Sequence, residues 1–292
     1  MNFDDPAWRA APLRTGMRVI KSLVRRRAGH FSRVAVGYDG DRSLIYADLA
    51  TPLGLQLYRY GQHDPDVELV GRLLSPGDVF VDGGANVGLF TLVAAARVGR
   101  TGKVLAFEPG RVTRLRLLEN VVLNSFEQVV VMPFALSSHS GEASFRAFDI
   151  AGAGLSHLAP ADDEAGEVET VALTTLDAAI TPADRRRLRL IKLDLEGAEH
   201  AALVGASSIL RESQPDIFLE IEPSHLARMG STADDIATLL RAHRYAFYRM
   251  IRSDMGELSL RSVAEIVTPG LGPNVFATVD PARARRCGIG LS

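Results

Sequence analysis

Cysteine is almost absent: Cys287, close to the C-terminus, is the only one in 292 residues. That excludes an internal disulfide and a cysteine-built metal cluster, and it fits a reducing, cytoplasmic setting. Charge of one sign is also missing, for the formal net charge is -2. A chain so balanced has no general attraction for nucleic acid or for an anionic membrane, and no nucleic-acid partner is expected. Long hydrophobic runs are missing too. Pro6, Pro12 and several arginines break up the N-terminal region, so neither a secretory signal nor a membrane span is expected. Repeats, low-complexity tracts and long linkers are not seen. Lysine stands only at 21, 103 and 192 among many arginines, a bias that suggests a GC-rich bacterial genome. What remains, 47% apolar and 23% charged, suffices for one large domain with additions.

The stretch that organises the chain is 79–88, Val-Phe-Val-Asp-Gly-Gly-Ala-Asn-Val-Gly. It reads as a buried strand, a tight turn and the start of a helix that continues through the alanine-rich segment after Leu89. Gly83 and Gly84 let a ligand approach the main chain, and Gly88 lets the helix pack on the strand. The Gly-Gly-x-x-x-Gly spacing departs from the Gly-x-Gly-x-x-Gly dinucleotide fingerprint, whose turn places a pyrophosphate at the helix N-terminus. In place of a phosphate reader there are two acids. Glu108 ends the next apolar run, 103–109, where such a unit carries the carboxylate that accepts both ribose hydroxyls. Asp82 ends the first strand and suits an ammonium, or through water the amino-acid part of a cofactor. A cofactor that joins adenosine to an amino acid is S-adenosylmethionine.

Before this unit, 14–34 has the spacing of a basic amphipathic helix, with Leu23, Val24 and Arg25 to Arg27 inside it. Segments 43–48 and 53–60 alternate like two short strands around Thr51 and Pro52, which predicts a hairpin. Residues 66–74 read as a helix. After Glu108 the periodicity predicts a helix over 112–124, with Leu115, Leu118, Val122 and Leu123 on one side, then a buried strand at 129–132 leading to Ala135. Strands are expected at 140–147 and 167–173, separated by the Gly- and Ala-rich loop 149–166, read as a lid whose Ser156 and His157 face a substrate. A further buried strand ends at Asp194, followed by Glu196 and Glu199. Another, within 216–223, ends at Glu220 and Glu222. Both aim acids at the carboxyl edge, where open α/β sheets bind ligands. A helix at 232–243 and strands at 245–251 and 274–279 complete the pattern.

Taken together, the motifs VDGGANVG (81–88), AFEP (106–109), Asn120 with Asn124, Thr175-Leu176-Asp177 and IKLDLEGAE (191–199) resemble the FkbM-type S-adenosylmethionine-dependent methyltransferases, within the class I methyltransferase fold. The resemblance runs from about residue 60 to about residue 251. It implies a Rossmann-like α/β fold whose seven-stranded, mostly parallel sheet has one antiparallel strand and helices on both faces. Residues 1–60 would form an N-terminal helix and hairpin extension, and 61–292 the methyltransferase domain. It implies transfer of a methyl group to an oxygen, the hydroxyl of a sugar, polyketide or other natural product. Asp82, Gly84 and Asn86 would line the methionine end of the cofactor and Glu108 its ribose. Gly83, Pro109, Ala135 and Asp194 complete the expected crevice, with Tyr60 and His63 closing over it.

An alkyl hydroxyl must lose its proton during transfer, so a base or an acidifying metal is expected. Asp194 is the first candidate; a helix cap or a hydrogen bond to the cofactor's amino group would use it otherwise. Asp194 and Glu220 stand where catechol-type methyltransferases hold magnesium, but Ile221 follows where those enzymes supply an amide, and a metal-free site is favoured. His225 is the best of the histidine alternatives, ahead of His157 and His200. Two rival readings remain. One is a non-catalytic methyltransferase-fold subunit. The other is an NAD-dependent dehydrogenase or epimerase, disfavoured by the glycine spacing and by the lack of a Tyr-x-x-x-Lys pair. A homo-oligomer is compatible with the sequence.

Overall fold

The computed structural model describes residues 15, 17–22, 33–61, 64–147, 157–158, 167–253, 256–267 and 272–292. Residues 17–22 are helical, whereas Leu23, Val24, Arg25 to Arg27 and His63 lie outside the described residues. Strand β1 (Arg33–Tyr38) pairs antiparallel with β2 (Ser43–Asp48). The hairpin partner of 43–48 is therefore 33–38, not 53–60. Residues 53–60 lie in helix α1 (Pro52–Tyr60), with Thr51 Oγ1 accepting from the Gly54 amide and Pro52 in the first turn. The alternation of Leu53, Leu55 and Leu57 mimicked a strand, but an N-cap followed by proline is a helix start. Helix α2 (Pro65–Leu73) then leads into the central unit, β3 (Val79–Gly83), α3 (Leu89–Val98), β4 (Lys103–Phe107), α4 (Arg111–Leu123) and β5 (Val129–Met132).

Between β5 and the next central strand, the chain builds a second sheet from β6 (Phe134–Leu136), β7 (Gly141–Ala147), β8 (His157–Leu158) and β9 (Glu167–Thr174). Apart from His157 and Leu158, the loop 149–166 lies outside the described residues, Ser156 included. Short helices α5 (Leu176–Ala179) and α6 (Pro182–Arg185) lead back to β10 (Leu188–Leu193). Then follow α7 (Glu199–Val204), α8 (Ser207–Glu212), β11 (Asp216–Glu220), α9 (Pro223–Arg228), α10 (Ala233–Ala242), β12 (Ala246–Arg252), β13 (Leu258–Val263), β14 (Asn274–Thr278), α11 (Ala282–Arg286) and β15 (Gly290–Leu291).

The main sheet runs β15-β13-β12-β14-β11-β10-β3-β4-β5. From β12 to β5 it has the seven strands that the resemblance implies, parallel except for β14. The sheet itself has nine strands, because β13 and β15 extend its β12 edge. Alternate residues face opposite sides: Val79, Val81 and Ile191 enter one apolar cluster, while Phe80, Val104 and Leu190 enter another. Strand β3 is covered on both faces and buried along its length, and Asp82, its one charged residue, is balanced there by Lys192. The chain leaves β3 toward β4 and β5, then returns to β10 on the other side. That reversal opens a crevice at the carboxyl ends of β3 and β10.

Helix α4 buries a different face from the one its spacing suggested. Leu117 and Val121 are inside with Thr113 and Asn120, whereas Leu115, Leu118 and Val122 are exposed. The polar pair decides the orientation. Asn120 accepts from the Tyr46 amide and donates to the Val87 carbonyl, and Asn124 exchanges two hydrogen bonds with the Leu44 backbone. These bonds, and Tyr38 donating to the Leu89 carbonyl, fasten the β1-β2 hairpin to the central unit. No helix among the described residues is long and apolar enough to cross a membrane.

Candidate functional site

The turn after β3 is held by its neighbours on both sides. The amides of Gly84 and Ala85 both donate to the Phe107 carbonyl at the end of β4. Gly84 has φ +72°, and a Cβ there would lie 1.9 Å from the Asp194 carbonyl oxygen. Only glycine fits so close to the end of β10. Asn86, also left-handed at φ 49°, turns its amide onto Glu108 Oε2 at 2.8 Å. Glu108 Oε1 accepts from the Gly110 amide and from Thr113 Oγ1, both at 2.9 Å. Burial pushes the Glu108 carboxyl above its usual range, although Thr113, the two amides and Lys192 pull the other way. Oε2 keeps a second lone pair for a ligand hydroxyl, and Oε1 regains one when Thr113 turns its proton to the Gly110 carbonyl, 3.1 Å from Oγ1.

Beneath the turn lies Lys192, a residue that the sequence reading passed over. It sits opposite Asp82 in the β3-β10 register and is buried. Its ammonium donates to the carbonyls of Gly83 at 3.1 Å and Gly84 at 2.8 Å. Asp82 Oδ1 stands 3.3 Å from Nζ and Asp194 Oδ2 3.6 Å. Burial alone would lower the lysine's pKa, but Asp82, Asp194 and Glu108 outweigh it and the net shift is upward. Asp82 is wholly buried, with Oδ2 accepting from Thr91 Oγ1 at 2.6 Å.

On the far side of the turn the acids gather. Ligand oxygens of Asp194, Glu196 and Glu220 lie within 4.8 Å of one another, an arrangement that could hold a metal ion. Glu220 is raised to about 9, first by burial, then by the charge of Asp194 and a hydrogen bond to it, with Glu196 and Glu199 adding. The Asp194–Glu220 pair thus retains a proton above the usual carboxylate range, shared between the two carboxyls. Glu196 is raised to about 7 by burial and by Asp194 and Glu199. Glu199, buried, is also raised to about 7 mainly by burial, and it accepts from the amides of Leu195 and Gly197. Its role is to hold the 194–199 turn. His225 Nδ1 stands 2.9 Å from Glu196 Oε2 in an orientation that makes no hydrogen bond, and burial lowers its pKa.

These parts border an open crevice of about 620 Å³, solvent at its mouth included. Of the residues expected there, Gly84, Asn86, Glu108, Pro109, Ala135 and Asp194 line it. Asp82 does not, lying behind Lys192, and Gly83 and Tyr60 are not among its lining residues either. Glu220 and His225 stand beside it through Asp194 and Glu196. The second sheet contributes an apolar wall, Phe134, Leu136, Phe145 and Leu158, that sequence periodicity could not assign to the crevice.

A family model described as the methyltransferase FkbM domain matches residues 82–247. AMB antimetabolite synthetase AmbE of Pseudomonas aeruginosa is 27% identical over 245 aligned residues, covering 72% of this chain but 11% of that protein. The chain thus spans about a tenth of the length of that relative. Among solved structures, methyltransferase FkbM from Methylobacillus flagellatus aligns with 93% of this chain and 60% of its own, at 17% identity and a TM-score of 0.43. A SAM-dependent O-methyltransferase from Thermotoga maritima aligns with 74% of this chain and 65% of its own, at 15% identity and a TM-score of 0.37. A Streptococcus mutans structure in complex with SAH aligns with 73% of this chain and 95% of its own, at 10% identity and a TM-score of 0.42.

Proposed function

The chain belongs to the FkbM methyltransferase family, and we propose that it moves a methyl group from S-adenosylmethionine to a hydroxyl of a small molecule, a sugar, polyketide or other natural product. The observation that carries this reading is Glu108. It is a buried carboxylate at the end of β4, facing the glycine turn, with a lone pair free on Oε2 and a second on Oε1 once Thr113 turns to the Gly110 carbonyl, for the two ribose hydroxyls. The lining suits the rest of such a cofactor: the Phe107, Pro109, Phe134 and Phe145 wall for the adenine, and the turn at Gly84 and Asn86 for the methionine end. When bound, the cofactor would supply an electrophilic methyl group. The protein's part is to hold the acceptor oxygen in line with it and to take the hydroxyl proton.

Asp194 is the proposed base, since it is the member of the Asp194–Glu220 pair that lines the crevice. The alternative use of the same acids is a divalent cation bound by Asp194, Glu196 and Glu220, which would displace the Glu220 proton. A natural-product acceptor is supported by the likeness to a synthetase of an antimetabolite. The test is mass spectrometry of hydroxylated metabolites incubated with the protein and S-adenosylmethionine, with EDTA or added magnesium in parallel. Gain of one methyl group on an oxygen supports the reading. Methylation on nitrogen or carbon alone would overturn the O-methyl assignment.

A further inference from the structure

Lys192 is the buried ionic centre of the site, yet it is not among the residues that line the crevice. Four negative ends converge on its ammonium: the carbonyl oxygens of Gly83 and Gly84, and the carboxylates of Asp82 and Asp194. The ammonium donates to the two carbonyls, while the carboxylates stand at 3.3 and 3.6 Å as charge partners. Asp82 Oδ1 is buried and has no hydrogen-bond partner, so the charge of Lys192 is what offsets it. The turn itself is pressed against β10, as the 1.9 Å from a Gly84 Cβ to the Asp194 carbonyl shows. Without a cation between them, two carbonyls and two carboxylates crowded in this way would repel one another in a medium of low dielectric.

We propose that Lys192 is a positioning residue: it clamps the turn at Gly83 and Gly84 from beneath and so sets the floor on which the cofactor lies. The inference rests on the reading of the crevice as an S-adenosylmethionine site. The amide side of the turn is tied to β4 through Phe107 and Glu108, and the carbonyl side to β10 through Lys192. Releasing the carbonyl side frees Asn86 and Glu108 from their mutual alignment. The effect reaches the cofactor through backbone geometry, not through contact.

The test uses Lys192→Met, which keeps the apolar stem and removes the charge, paired with Asp82→Asn, which removes the buried acid that the first change would leave unbalanced. The double variant is expected to melt close to the wild-type temperature. Its amides at 84–86 should exchange with solvent at least tenfold faster, and S-adenosylhomocysteine should bind at least tenfold more weakly. A space-filling lysine would leave affinity and local exchange untouched in a folded double variant, and that result overturns the proposal. Nitrogen-15 lysine spectra of the wild-type protein test the same point without any substitution. One of the three lysine ammonium signals should exchange slowly and should shift on addition of S-adenosylhomocysteine; three freely exchanging signals contradict the clamp. If wild-type protein does not bind S-adenosylhomocysteine, the cofactor reading fails, while the exchange and ammonium signals still decide the clamp.

Discussion

Glu220→Gln removes the group whose proton the acid cluster retains, and the consequence can be read from stability against pH. The ordinary carboxyl of Glu220 titrates near 4.5 in the unfolded chain, and the folded protein raises it to about 9. Between these values the folded state holds a proton that the unfolded state has released, so stability falls as pH rises through the window. The slope is about 1.4 kcal/mol per pH unit for one fully retained proton. Glu220 is only half-buried and water screens its neighbours, so about 1–2 kcal/mol of penalty should survive at pH 8. Glutamine keeps the hydrogen bond to Asp194 and carries no titration. The variant should therefore melt roughly 2–3 °C above wild type at pH 8 and level with it at pH 4.5. Scanning calorimetry in EDTA from pH 4.5 to 9 makes the comparison without a competing metal. Parallel melting curves for the two proteins across this range would refute the shared-proton account.

Three further outcomes follow from the site. Glu108→Ala loses two charge-assisted hydrogen bonds, each worth on the order of 1.5–3 kcal/mol, so cofactor affinity measured by calorimetry should fall tenfold or more. Asp194→Asn should lower turnover by on the order of 10²-fold while affinity for S-adenosylhomocysteine falls much less. In wild type, EDTA-insensitive turnover points to direct base chemistry, and loss restored by magnesium points to the metal. Gly84→Ala places a methyl group 1.9 Å from the Asp194 carbonyl at φ +72°, so a fall in melting temperature or failure to fold is expected, and undiminished stability would contradict the turn geometry.

The central unit was legible because its signals are local. Three apolar residues, an acid and paired glycines specify strand, turn and helix within ten positions, and Glu108 follows at the end of the next strand. The acids of β10 and β11 were legible for the same reason, each ending an apolar run. Helix α1 was misread because three leucines two residues apart outweighed the cap at Thr51. The face of α4 was misread because its orientation is set by Asn120 and Asn124 reaching the hairpin, contacts that span some eighty residues. Lys192 looked like one polar interruption in a buried strand. Only the register of β3 against β10, 110 residues apart in sequence, brings it opposite Asp82. The raised carboxyl of Glu220 was beyond sequence reading altogether, since it depends on the separation of three carboxylates.

The claim that this crevice holds S-adenosylmethionine is tested most directly by calorimetric titration of the purified chain with S-adenosylhomocysteine, S-adenosylmethionine and NAD side by side. Saturable one-to-one binding of the first two, weakened at least tenfold in Glu108→Ala and not seen with NAD, is the result this account predicts. Binding of NAD in preference to both, or S-adenosylhomocysteine binding that Glu108→Ala leaves unchanged, would contradict it.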